Sequence, residues 1–231
     1  MTNMDNFDGF SAETISFLKT VQSKNSKKWF EDHRRDYNEY LLGPLRALVM
    51  TLSRSVIGID SRIETSPTIN RTISKIFRDT RFSKDKSLFR NEAWISFKRK
   101  RKDRMTIPEF YFYLTPESYE YGMGYYSADR ASMDLFRNAI TQAPASFRKT
   151  LMFENNKTMD FERFEDRYKR IISNKGPEDL QDWYQMKSFC CRIKKQNDKI
   201  LFDRQLADDI GKAFSVLTPL YLFIINCTIA Q

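Results

Sequence analysis

Glycine, histidine and cysteine are all scarce in this chain, and each shortage removes a class of chemistry. Only 7 Gly occur in 231 residues. No glycine-rich loop is present to cradle phosphates with backbone N–H groups, and Gly122-Met123-Gly124 lacks the third glycine of a dinucleotide fingerprint. No Gly-x-Ser-x-Gly elbow presents a nucleophilic serine. The single histidine, His33, and the lack of any Cys-x-x-Cys pair argue against a zinc site built from His and Cys. No metal and no cofactor is expected. The three cysteines, Cys190, Cys191 and Cys227, form no spaced framework, and adjacent Cys190 and Cys191 would point to opposite sides of a strand. Free thiols imply a reducing compartment, so a cytoplasmic location is expected. The start at Met1-Thr2-Asn3-Met4-Asp5 has neither the basic nor the apolar region of a signal peptide. The most apolar stretch, from Ala213 to Ala230, is interrupted by Ser215, Thr218, Pro219, Asn226 and Thr228. It reads as a buried C-terminal helix pair rather than a membrane span.

Aromatic residues, by contrast, are plentiful: 19 Phe, 11 Tyr and 3 Trp. Hydrophobic residues at 41% and charged residues at 30% are ordinary for a folded chain. A chain of this length and composition can bury a large core, and residues 1–231 are expected to form one domain. The net charge of +9 is concentrated. Between Arg71 and Arg104 stand 13 Lys and Arg against 4 Asp and Glu, while the rest of the chain balances. Such a concentration attracts phosphates, nucleic acid or acidic lipid, or serves as a solubilising surface.

Hydrophobic periodicity divides the chain into helical ends and a strand-rich middle. Ser11 reads as an N-cap with Glu13 in the first turn, followed by a face of Ile15, Leu18 and Val21. Asn25 can cap a second helix whose inward positions are Phe30, His33, Tyr37, Tyr40 and Leu41. Gly43-Pro44 breaks or kinks it, and Leu45, Leu48, Val49, Leu52 and Val56 carry the face onward. Trp94-Ile95-Ser96-Phe97 is an expected strand. Phe110, Phe112 and Leu114, then Tyr119, Tyr121, Met123 and Tyr125, alternate on either side of Thr115-Pro116-Glu117, the pattern of a hairpin. The basic run Lys98-Arg99-Lys100-Arg101-Lys102 falls in the loop before it. Helices resume with Met133, Phe136 and Ile140 on one face, and Pro144 can start another. The stretch from Asp160 to Ile172 reads either way. Ser188 to Ile193 is a candidate strand, Asp203 caps a helix through Leu206, Ile210, Phe214 and Leu217, and Thr218-Pro219 opens a last one. The expected fold is α+β, an antiparallel sheet flanked by N-terminal and C-terminal helices.

The segment richest in chemistry runs from Lys75 to Lys86. If extended, it places Phe77, Asp79 and Arg81 on one side and Ile76, Arg78, Thr80 and Phe82 on the other. Arginine meets planar anions with paired hydrogen bonds, lysine adds a compact charge, and Asp79 can fix the rotamer of Arg78 or Arg81. The candidate ligand-binding residues are therefore Arg78, Asp79, Arg81, Asp85 and Lys86. The same residues also describe a salt-bridge network that only pins strands to helices. His33, on an apolar helical face, reads as a satisfied core histidine, with general acid/base work the sharper alternative. Tyr111, Tyr113, Tyr119, Tyr121 and Tyr125 form either good strands or a platform for stacking bases.

At this segment the chain resembles the bacterial and fungal domain-of-unknown-function family 2461, whose signature is roughly R-x-x-R-D-x-R-F-x-x-D-K-x-x-Y. The matching residues are Arg78, Asp79, Arg81, Phe82, Asp85 and Lys86, with Lys75 in place of the usual Arg and Phe89 in place of Tyr. The likeness begins at Phe7-Asp8-Gly9-Phe10, continues through Asn25, Trp29-Phe30, His33 and Tyr37, keeps half of the double Asn before Trp as Asn25-Ser26, and extends to Gly122, Gly124, Arg137 and Pro219-Leu220. It implies one domain and supplies no reaction. Three functions stand open: a binding module for a phosphate-bearing or nucleic-acid ligand, an enzyme on an anionic substrate with Asp79 or Asp85 as base or metal ligand, and a structural or protein-interaction domain.

Overall fold

The computed structural model describes residues 6–100, 107–126, 128–172 and 176–229. Arg101 and Lys102 of the basic run, like Arg104, lie outside the described residues. Ser11 caps helix α1 (Ala12–Lys24) in a reciprocal box with Thr14. The Thr14 N–H donates to the Ser11 hydroxyl at 3.3 Å, and the Ser11 N–H donates to the Thr14 hydroxyl at 3.1 Å. The buried face of α1 is Thr14, Phe17, Leu18 and Val21; Leu18 and Val21 are buried as expected, whereas Ile15 is half-buried and Thr14 and Phe17 complete the face.

Asn25 does not cap the second helix. It ends α1 in the left-handed conformation (φ 43°, ψ 37°), which asparagine tolerates better than most residues, and Ser26 caps α2 (Lys27–Asp32) instead. The expected single helix breaks into α2, the short α3 (Arg34–Asp36) and a π-helical turn (Tyr37–Leu42) before α4 (Gly43–Ile59). The interruption falls at His33, from Arg34 to Ile59 the chain stays helical, and Pro44 accounts for the π-helical turn. Pro44 has no N–H to offer the Tyr40 carbonyl four residues earlier. The Thr14 hydroxyl of α1 donates to that carbonyl instead, at 2.5 Å, and the Gly43 N–H reaches back five residues to Asn38. On α4 the expected face is buried as read, at Leu45, Leu48, Val49, Leu52 and Val56.

Among the described residues, five strands form one antiparallel sheet in the order β1-β2-β3-β5-β4. They are β1 (Ala93–Phe97), β2 (Glu109–Leu114), β3 (Ser118–Tyr125), β4 (Glu162–Arg167) and β5 (Met186–Gln196). The α+β class, its antiparallel sheet and its helical ends match the expectation. β2 and β3 are the expected hairpin, closed where the Thr115 N–H donates to the Ser118 carbonyl at 2.8 Å. β4, ambiguous in sequence, is an edge strand carrying Glu162, Arg163, Glu165, Asp166 and Arg167, and such charges deter edge-to-edge pairing.

The chain's contacts resolve two units, and both draw on β2, β3 and β5. One comprises Met1–Phe97, Tyr111–Glu120 and Lys194–Gly211. Its core joins the inner faces of α1 and α4 with Phe7, Phe10 and Phe112, the last two rings stacked at 5.5 Å. The other comprises Lys98–Phe110, Tyr121–Ile193 and Lys212–Gln231. There α5 (Arg130–Gln142), capped by Asp129, buries Met133, Phe136 and Ile140 as expected. Phe136 meets Phe147 of α6 (Pro144–Thr150) at 5.5 Å and Phe189 of β5 at 5.9 Å, with Trp183 of α7 (Gln181–Tyr184) beside them.

The C-terminal helix pair is a correction: α8 (Gln205–Ile229) runs unbroken with Pro219 inside it. The cost of an interior proline, about 3 kcal/mol, falls where Leu217, Leu220, Tyr221 and Ile224 are all buried. Each such side chain contributes about 1.5–3 kcal/mol on burial, so packing outweighs the break. By length and composition alone, two helical runs among the described residues, Arg34–Ile59 and Gln205–Cys227, are long and apolar enough to cross a membrane.

Candidate functional site

The Lys75–Lys86 segment is not a regular strand. A single antiparallel bridge joins Phe77 to Phe89, flanked by Arg78 N–H to Leu88 carbonyl and Arg90 N–H to Ile76 carbonyl hydrogen bonds, each 2.9 Å. The base of this hairpin is aromatic: Phe30 of α2 lies 5.1 Å from Phe77 and 5.0 Å from Phe89. Phe89 is fully buried in that contact. Asn25 ties the far strand down, its Oδ1 accepting from the Leu88 N–H at 2.6 Å. The expected two-sided alternation fails because the chain bends at Arg81 and Phe82. Ile76 is buried, whereas Phe82, expected on the same side, is 95% exposed.

Between Phe77 and Phe89 the five candidate residues divide into two groups. Arg78, with its side chain 23% exposed, braces the loop from within. Its Nη1 donates to the Asp85 carboxylate and, at 2.7 Å, to the Ser87 hydroxyl. Asp85 also accepts from the Ser87 N–H at 2.9 Å. These bonds, the Ser87 backbone first, then its hydroxyl and Arg78, hold the Asp85 carboxyl below its ordinary range. Lys86 crosses the loop to donate to the Thr80 carbonyl at 2.8 Å. Arg81 behaves differently. Its side chain is 78% exposed. Its Nε and Nη2 form a fork on the Asp79 carboxylate at 3.0 and 2.7 Å, and Nη1 has no partner among the described residues. The guanidinium also lies 5.8 Å from the Phe82 ring centroid.

Hydrogen bonds from the Arg81 side chain, then from its backbone, lower the Asp79 carboxyl to about 2. The folded value is depressed, so the pairing is fully formed above the ordinary carboxylate range near ~3.9 and is lost as pH falls through about 2. NMR titration of the Asp79 carboxyl is expected to give a midpoint near 2 and, in Arg81→Gln, a return toward the ordinary range. A midpoint that Arg81→Gln leaves unmoved would show that the fork does not persist in solution.

Among the described residues, no three His, Cys, Asp or Glu side chains converge to hold a metal ion. Asp79 and Asp85 are each engaged by arginine. The tyrosines do not form an open platform: Tyr111, Tyr119, Tyr121 and Tyr125 are buried, and half-buried Tyr113 donates to Glu92. Burial, then that bond, pushes the Tyr113 phenol well up.

A second constellation escaped the sequence reading. An open cleft of about 290 Å³ is lined by Glu13, Ser16, Phe17 and Thr20 of α1 and by Trp29, His33, Asp36 and Tyr40. Positions 29, 33, 36 and 40 repeat at helical spacing, a stripe that could have been noticed. What could not be read is that α1 supplies the opposite wall.

Fold and loop together define an α+β protein in which cations crown an aromatic-based hairpin. The family described as conserved hypothetical protein (DUF2461) matches residues 13–223, and the chain belongs to that family. A search of curated proteins gave no match.

Proposed function

We propose that the loop between Phe77 and Phe89 binds a phosphate-bearing anion, with Arg81 as the direct contact and Lys75, Lys84 and Lys86 supplying surrounding charge. One observation carries the reading: Arg81 is exposed yet already oriented by Asp79. A guanidinium fixed before the ligand arrives loses less rotamer entropy on binding. An exposed ion pair of this kind adds little stability of its own, a median of about 0–1 kcal/mol, so bracing alone is a weak reason for it. Arg78, Asp85 and Ser87 set the loop's shape, and the three lysines are exposed around it. Phe82 offers an apolar face beside the charge, suited to a base or other planar group. The protein would work in a reducing compartment, where free Cys190, Cys191 and Cys227 persist.

Calorimetric titration at low salt separates the sources of phosphate. Pyrophosphate and a nucleoside triphosphate represent small ligands, and single-stranded DNA represents a polymer. Binding is expected to weaken with added salt and to fall about tenfold in Arg81→Gln, the loss of one charge-assisted contact. A preference for DNA over the small anions would assign the loop to nucleic acid. If no anion binds at low ionic strength, or Arg81→Gln binds as tightly as the unaltered protein, the reading is wrong.

A further inference from the structure

The cleft beside His33 has the opposite chemistry to the Arg81 loop. Its polar lining is anionic or accepting: the carboxylates of Glu13 and Asp36, the hydroxyls of Ser16 and Thr20, the phenol of Tyr40 and the His33 imidazole. No Lys or Arg lines it. Arg34 and Arg35, which follow His33 in the chain, pair with Glu31 at 2.6 Å and Glu39 at 3.5 Å. Glu13 and Asp36 have no ion-pair partner among the described residues. In a chain of net charge +9, an uncompensated acidic cleft stands out as a place for a cation.

Its walls are fixed. The Thr14 hydroxyl holds the Tyr40 carbonyl, so α1 and the π-helical turn are stitched together next to the opening. Phe17 lies 5.9 Å from Trp29 and 6.0 Å from Tyr37, which sets the floor. His33 stacks on Trp29 with ring centroids 4.1 Å apart and planes 16° from parallel. Its Nδ1 lies 2.8 Å from the Trp29 carbonyl. A carbonyl only accepts, so Nδ1 carries the proton and Nε2 keeps its lone pair in the neutral ring. π-Helical turns recur at functional sites because they re-aim side chains that a regular helix would place elsewhere. This one carries Tyr40 and directly follows Asp36.

We propose that this cleft binds a small organic cation, an alkylammonium group, held by the Glu13 and Asp36 carboxylates against the Trp29 and Tyr40 rings. Aromatic faces attract ammonium groups, and carboxylates give the charge-assisted hydrogen bonds. The cavity sits at the small end of ligand sites, about 300 Å³, which suits an amine on a short chain. A bare metal ion fits less well, because no three ligating side chains converge among the described residues. The Ser11 hydroxyl and Glu13's own backbone N–H keep the Glu13 carboxyl below its ordinary range, so it carries its charge at neutral pH. The proposal is independent of the anion reading: it uses a different cleft and the opposite charge.

Because His33 is the only histidine, its imidazole C–H resonances report on the cleft without assignment. Titration with n-butylammonium is expected to shift them saturably in the millimolar range, whereas the neutral isostere n-butanol leaves them in place. Glu13→Gln and Asp36→Asn are each expected to weaken the amine about tenfold, with far-UV circular dichroism unchanged, since Glu13 is exposed and Asp36 half-exposed. Trp29→Leu removes the stacked face and is expected to abolish the shift. No saturable shift with the amine, an equal response to butanol, or undiminished affinity in both carboxamide variants would overturn the proposal.

Discussion

Replacing Arg137 by leucine is expected to destabilise the protein by about 3–5 kcal/mol, the range for breaking a buried charged network. Arg137 stands on α5, where Phe136 and Ile140 make the apolar face, yet it too is buried, 4% exposed. Every edge of its guanidinium is used. Nε donates to the Tyr184 carbonyl at 2.8 Å, Nη2 to the Met186 carbonyl at 2.6 Å, and Nη1 to Asp134 at 2.8 Å. The two carbonyls bracket the point where α7 gives way to β5. Tyr184 is the last residue of α7 and Met186 the first of β5. Leucine would fill the space but leave both carbonyls without a donor, at about 1–3 kcal/mol for each buried unsatisfied group. Arg137→Lys keeps a charge and one bond but not the fork. It is expected to cost less than leucine. Urea unfolding monitored by tryptophan fluorescence measures both, with the midpoint shifting and the slope unchanged. A leucine variant within about 0.5 kcal/mol of the unaltered protein, the spread of ordinary surface changes, would mean that Arg137 is not the bond that closes this corner.

Arg137 also shows how far sequence reasoning reaches. The resemblance names Arg137 only as a matching residue, and the reason for its burial lies in two carbonyls nearly fifty positions away. What periodicity records is burial within one element, so the face of α4 and the β2–β3 hairpin were legible from alternation alone. What it does not record is which distant group satisfies a backbone atom. The π-helical turn depends on Thr14 replacing the N–H that Pro44 lacks, and nothing between residues 37 and 44 announces that partner. Asn25 departs from its local reading for a similar reason: its left-handed backbone ends α1 and its side chain accepts from Leu88, and both depend on contacts outside α2. Pro219 acts in the other direction, because its local break signal is overridden by the buried face of α8 at Leu217, Leu220, Tyr221 and Ile224. The basic segment was found by counting charge. Charge counting could not separate Arg78, which braces, from Arg81, which is presented, because that difference is set by Asp85 and Ser87 after the chain bends.

Gly122 and Gly124 look equivalent in sequence, two positions apart on β3, and substituting alanine at each should separate them. A Cβ at Gly122 would lie 2.0 Å from the Cys191 carbonyl oxygen and 2.8 Å from the Arg192 Cα. Both are backbone atoms of β5, the strand next to β3. They cannot rotate away, so relief requires moving one strand from the other and stretching the ladder on either side. A Cβ at Gly124 would meet the ring of Tyr126 at 2.1 Å, but that ring is a side chain, 47% exposed, and can swing toward solvent. Gly122→Ala is therefore expected at or above the top of the usual overpacking range, roughly 3 kcal/mol, and Gly124→Ala at its lower end, about 1 kcal/mol. Urea unfolding of the two variants side by side gives the comparison without reference to any absolute value. Equal losses would mean that β3 and β5 approach no more closely at Gly122 than elsewhere. A large loss confined to Gly122 would locate the close approach in the backbone and explain why a strand otherwise rich in tyrosine surrenders a side chain at that position.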